Sequence, residues 1–159
     1  LKPEISAWII AINFTGEFLG NLISSRIIDK TSSLILALSA TISATFIIIA
    51  ITLITQPIII VLLVGILGIL QGIYFPSQNT WLTFITPPNC QGRMFGRTSF
   101  VQGFSATIAP ALYGWIADKT SLICAYRFAA IPFLISFTLF GMIYILESRS
   151  NGILPTRKL

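Results

Sequence analysis

Apolar residues fill five long blocks of this chain, at 5–25, 33–54, 57–85, 99–117 and 122–146, and polar residues collect in the short connectors between them. Each block is close to the ~20 apolar residues that cross a bilayer core as a helix. The blocks are continuous and do not alternate apolar with polar residues, which predicts helices and excludes the strands of a membrane barrel. The connectors are short, as in a compact bundle, and no soluble domain separates the blocks. The pattern therefore predicts an all-α integral membrane bundle of five transmembrane helices over 1–149, with a short tail at 150–159. The third block is longer than a bilayer requires, and Pro76 is expected to kink it.

Polar residues inside the blocks follow a helical step. Asn13, Glu17 and Asn21 recur every four residues and form one stripe, and Gly16, Gly20 and Ser24 form a second beside it. The glycine stripe is suited to close helix packing of the GxxxG kind. Glu17 is the harder residue to place, because an ionised carboxylate at the centre of a bilayer costs about 3 kcal/mol even on the lower scales. It needs a partner, a wet cavity or a function. In the third block Gln71, Tyr74 and Gln78 share a face, with Asn79 beside it, and Gly65, Gly68 and Gly72 offer small surfaces to a neighbour. The fourth block carries Gln102. The second carries neither charge nor amide, and the fifth carries neither once Arg127 is read as sitting near its outer end. Three polar helices lining a wet or substrate-filled space, with two apolar helices bracing them from the lipid side, is the arrangement this distribution predicts. Amides that only bond neighbouring helices together are the alternative.

Composition agrees with the block pattern: 55% of the 159 residues are hydrophobic and 9% charged, against roughly a quarter charged in soluble domains. The net charge of +5 comes from basic residues scattered singly, without the basic stripe and interleaved aromatics of a nucleic-acid surface. No nucleic-acid partner is expected. Arg26, Lys30, Arg93, Arg97, Arg149, Arg157 and Lys158 fall on one side of a five-span topology, and Lys2, Lys119 and Arg127 on the other. Positive charge collects on the cytoplasmic side, so the C-terminus is predicted in the cytoplasm and the first residue outside, in a plasma or inner membrane. Trp8, Trp81 and Trp115 lie near block ends, where indoles suit the interface. Cys90 and Cys124 fall on opposite faces, and no disulfide is expected. With no histidine, five scattered acids and two lone cysteines, neither a catalytic constellation nor a metal site is expected, and no cofactor. A channel would need a repeated filter or charged ring, which one Glu17 supplies only by oligomerising. The chain opens on Leu1 without a basic leader, and reads as a piece of something longer.

The connector Ser24–Lys30, SSRIIDK, resembles the cytoplasmic signature of the major facilitator superfamily: Gly, any, Leu, any, Asp, Arg, any, Gly, then two basic residues. Asp29 matches the acid, Lys30 stands where Arg is usual and Ile27 where Leu is usual. Ser25 and Ser32 replace the glycines, and Ser33 and Leu34 replace the basic pair. In order there follow GIYFPSQNTW, then PPNCQGRMFGR, similar to the family's arginine-glycine connector in permuted form, then APALYGWIADK and AYRF. The series resembles helices two to six of a six-helix half over essentially the whole chain. The two apolar blocks correspond to the helices that are peripheral in that fold. The short charged tail directly after the last block matches a C-terminal half lacking its first helix, although an N-terminal half cut in its central loop would share these features. Antiporter members usually carry Gly-Pro and then Gly-Gly in the fifth helix of the N-terminal half, where this chain has Ala109-Pro110 and Tyr113-Gly114.

The resemblance implies a secondary active transporter that moves a small molecule by alternating access. Its partners are then the bilayer, the remaining helices of the transporter and a small-molecule substrate, with proton coupling as one option. Asn13, Glu17, Asn21, Gln71, Tyr74, Gln78, Asn79 and Gln102 become candidates for the substrate or proton pathway. Asp29 and Lys30, with Arg93 and Arg97, become candidates for a cytoplasmic latch that forms and breaks as the bundles rock. The alternative function is a non-transporting membrane subunit or scaffold that assembles with other helices.

Overall fold

A computed structural model describes residues 3–54 and 56–150, all in helices and short connectors, with no strand among the described residues. Lys2 and the tail beyond Ser150, including Arg157 and Lys158, lie outside the described residues. The helices are α1 (Pro3–Ile27), α2 (Ser33–Leu53), α3 (Pro57–Ile85), α4 (Gln91–Lys119) and α5 (Leu122–Ser150), with a single 3₁₀ turn at Pro88–Cys90 before α4. Each boundary has a local cause. Pro57 opens α3 at its first position, where its missing N–H costs nothing. The Ser121 hydroxyl caps α5 by accepting the Cys124 N–H at 3.2 Å. The helix α4 starts at Gln91, eight residues before its apolar block, because Gly92, Arg93, Gly96 and Arg97 end the hydropathy without ending the helix. The helix α3 continues through Pro76 to Ile85.

The helices pack in a row, α1 on α3, α3 on α2, α2 on α5, and α5 on α4. By length and hydropathy α2, α3 and the part of α5 at Arg127–Leu146 are apolar enough to cross a membrane. The more polar α1 and α4 therefore stand at the two open ends of the row, and α4 buries none of its residues. The helix α2, expected as an outer brace, is instead at the centre and holds most of the core. Ala37, Ala40, Thr41, Ala44 and Thr45, spaced three and four apart, make a narrow seam that lets α3 and α5 close on it. The threonines do not disturb that seam, because Thr41 donates to the Ala37 carbonyl at 2.8 Å and Thr45 to the Thr41 carbonyl at 2.9 Å.

The tightest contact lies between α1 and α3. A Cβ added to Gly20 would lie 3.0 Å from the Gly72 Cα, and one added to Gly72 would lie 2.8 Å from the Asn21 nitrogen. Gly16 faces Gly65 and Ile69 in the same way, and Gly68 faces Asn13 and Glu17. Residue numbers rise together along the two helices, so α1 and α3 run parallel, as the first and third spans of an up-and-down chain must. Backbone lies on backbone here, close enough for Cα–H···O contacts worth ~0.5–1 kcal/mol each. Asn13 adds a polar bond across the seam, its Nδ2 donating to the Val64 carbonyl at 3.3 Å.

These contacts set two expectations for thermal unfolding of the detergent-solubilised protein. Gly72→Ala places a methyl against rigid backbone and lowers stability by about 1–3 kcal/mol, whereas Gly103→Ala, with nothing within 4 Å, leaves it unchanged or slightly raised. Asn13→Ala removes one interhelical hydrogen bond and costs about 0.6 kcal/mol, well below the glycine change. Equal losses at Gly72 and Gly103 would show that the seam is not closed.

Candidate functional site

Glu17 lies almost midway along α1, half-buried, at the border of the glycine seam. Its backbone is held against Gly68 and Gly72 of α3, so the position of its Cα is fixed by two helices at once. The flanking asparagines of its stripe form no hydrogen bond to its carboxylate. The Asn13 amide is turned to Val64, and Asn21 is exposed. No hydrogen bond or ion pair to the Glu17 carboxylate is formed among the described residues. The result is an ionisable group on a rigid support, beside an open edge of the row, with its own bonding capacity free.

The amides of α3 point elsewhere. Gln71 and Tyr74 line a cavity of about 240 Å³ between α2, α3 and α5, and the Tyr74 hydroxyl lies close to Ser136 of α5. Tyr74 also meets Phe140 edge-on at 6.1 Å, and Phe140 meets Trp81 at the same distance. Trp81 is thus packed inside the bundle with its Nε1 buried and unpartnered, while Trp8 and Trp115 are exposed near helix ends. Gln78 is half-buried, and Asn79 and Gln102 are exposed. The candidate pathway residues therefore fall into separate groups: an α1 group around Glu17 and an α3 group at the cavity, with Gln102 apart on α4.

Two residues of the cavity wall went unnoticed in the sequence, Thr41 and Ser136. Both are hydroxyl residues midway along their helices, and scoring only charges and amides passes over them. Their positions, Thr41 beside Thr45 and Ser136 four residues after Pro132, were the available signal.

At the α1–α2 turn, Asp29 and Lys30 are exposed, and so are Arg93 and Arg97 in the first two turns of α4. No ion pair joins them, and α1 and α4 form no packed interface of their own. Among the described residues no group of three or more His, Cys, Asp or Glu could hold a metal ion. Cys90 and Cys124 are free and half-buried, one before α4 and one near the start of α5.

Comparison with known proteins adds the family. The chain is similar to the proton-coupled antiporter flippase LtaA of Staphylococcus haemolyticus (strain JCSC1435), 29% identical over 140 residues, covering 86% of this chain and 35% of that protein. It is similar to the same-named protein of Staphylococcus saprophyticus, 30% identical over 128 residues, covering 78% of this chain and 32% of that protein. The relative of that name in Staphylococcus epidermidis (strain ATCC 35984) is 32% identical over 145 residues, covering 88% and 36%. The chain thus spans about a third of the length of the curated relatives it matches. No solved structure matches it. The model of the Major Facilitator Superfamily matches residues 1–158, nearly end to end and across all five helices. This all-helical, multi-pass integral membrane chain belongs to the Major Facilitator Superfamily.

Proposed function

We propose that this chain is helices two to six of the C-terminal half of a secondary active transporter, which moves a small molecule by alternating access and couples that movement to protons through Glu17. The observation that carries the reading is the setting of Glu17. A carboxylate that stays ionised inside a bilayer is costly, so one kept midway along a spanning helix belongs with a pathway more readily than with a static core. Its support is stiff and its oxygens are free, the combination a proton carrier needs. As two bundles rock about a mid-membrane site, the group meets water from one side and then the other, taking a proton in one state and releasing it in the next. The relatives' description as proton-coupled antiporters supports the same coupling here.

The row of helices supports the rest of the reading. Its polar members, α1 and α4, stand at the open ends, where further helices would complete a half and face the opposite bundle. The exposed cytoplasmic charges Asp29, Lys30, Arg93 and Arg97 have no fixed partners among the described residues, so they are available to change partners as the bundles move. We place them, with the C-terminus, on the cytoplasmic side from the distribution of basic residues.

Replacing Glu17 by Gln keeps the shape and removes titration. In the full-length protein reconstituted into vesicles, Glu17→Gln is expected to fold normally and lose proton-driven accumulation or exchange. Transport by Glu17→Gln with an unchanged pH profile, together with misfolding of Glu17→Leu, would instead make Glu17 a packing residue. Orientation is tested by cysteine labelling of intact cells. A cysteine placed at Arg157 is expected to react only with membrane-permeant reagent, and reaction with an impermeant one inverts the topology.

A further inference from the structure

The cavity between α2, α3 and α5 is not absorbed by the transport reading, because no residue of α1 or α4 lines it. It lies across α3 from the glycine seam, with Gln71 and Tyr74 turned away from α1. Its depth is well defined. Gln71 is the central residue of α3 and Ser136 the central residue of α5, with Thr41 and Ala44 near the centre of α2. The cavity is partly open, and the three helices that wall it are the strongly apolar ones.

Its chemistry is equally well defined. Most of the wall is apolar, contributed by Phe75 and Phe133 with small residues of α2 opening the space. No charged side chain lines it, so a charged ligand would be left there without a counter-ion, at high cost. Thr41 has already given its proton to the Ala37 carbonyl. The Gln71 amide forms no hydrogen bond among the described residues and keeps both donor and acceptor capacity. A mostly apolar wall with one free amide and two nearby hydroxyls, Tyr74 and Ser136, is the anatomy of a small-molecule pocket. At about 240 Å³ the space exceeds the ~150 Å³ apolar cavity known elsewhere to stay dry and admit benzene.

We propose that this cavity is a lateral binding site for an uncharged amphipathic molecule that partitions into the bilayer, an apolar ring or chain bearing one hydroxyl or carbonyl, with Gln71 as the hydrogen-bonding residue. It is separate from the Glu17 group and does not depend on proton coupling there. Selectivity follows from Gln71: an analogue lacking the polar group fills the same space but leaves the amide unpaired, and loses affinity.

The test uses the full-length protein in phosphatidylcholine vesicles, a hexylphenol carrying a diazirine on its alkyl chain, and the matching hexylbenzene diazirine. Crosslinks are mapped by mass spectrometry. The phenol is expected to label Phe75 or Phe133, to be displaced by unlabelled hexylphenol, and to exceed the hexylbenzene. Gln71→Leu should erase the difference between the two probes, and Ala44→Phe should abolish labelling by filling the space. Because Ala44→Phe can fail to fold, the Gln71→Leu comparison stands without it. Non-saturable labelling spread over outward residues such as Phe46 and Leu139, or equal labelling by both probes in the unmodified protein, overturns the proposal.

Discussion

The place of Glu17 and the facing of the α3 amides depend on the backbone contact of α1 with α3. Lipid tails are as apolar as leucine, so burying side chains between helices gains little in a membrane, and association rests on close packing and on bonds between helices. Glycine is the residue that permits the closest approach. Here Gly16, Gly20, Gly65, Gly68 and Gly72 meet in one seam, and the carbonyls of Asn13 and Glu17 rest against the α-carbons of the opposing helix. The seam fixes both the distance and the rotation of α1, and with them the place of Glu17. The rotation of α3 that sends Gly68 and Gly72 to α1 also sends Gln71 and Tyr74 to the other side. The separation of the charged edge from the neutral cavity is thus a geometric result of one contact.

The small residues of α2 perform a comparable service on the far side. Alanine and threonine at steps of three and four leave a groove, and α3 and α5 close over it with Tyr74, Trp81 and Phe140 in edge-to-face contact. Where Ala40 and Ala44 are too short to fill the space between the helices, the cavity remains. Packing and cavity therefore share a cause: small side chains bring backbones together, and away from the point of closest approach they leave room.

Much of the fold was legible from hydropathy alone, because a bilayer forces each apolar run of this length to satisfy its backbone internally as a helix. The bounds of α2 and α3 agree with the apolar blocks to within a residue. The early start of α4 was not legible, since hydropathy measures what crosses lipid and says little about a helix that continues beyond its apolar run through Arg97 and Arg93. For the site, the four-residue step placed Asn13, Glu17 and Asn21 on one stripe, and the seam of Gly16 and Gly20 beside it is where the structure puts it. The partner of each polar group could not be read, because it depends on helix rotation set by distant packing. Asn13 looked like a neighbour for Glu17 and bonds Val64 instead. The central place of α2 was hidden for the same reason: absence of amides says that a helix tolerates lipid, while its alanines and threonines, spaced for contact, say that it is covered.

The parallel pairing of α1 with α3 also bears on how the chain enters the membrane. Helices leave the translocon in sequence order, and the contact that steadies α1 lies on a helix that emerges two spans later. Until then α1, interrupted by Asn13, Glu17 and Asn21, lacks its seam partner, and the finished row puts α3 between α1 and α2. A segment of marginal apolarity is most exposed to slipping back or to quality control during that interval. Insertion order therefore matters as well as affinity, because the contact between α1 and α3 can form only once α3 has followed α1 into the membrane.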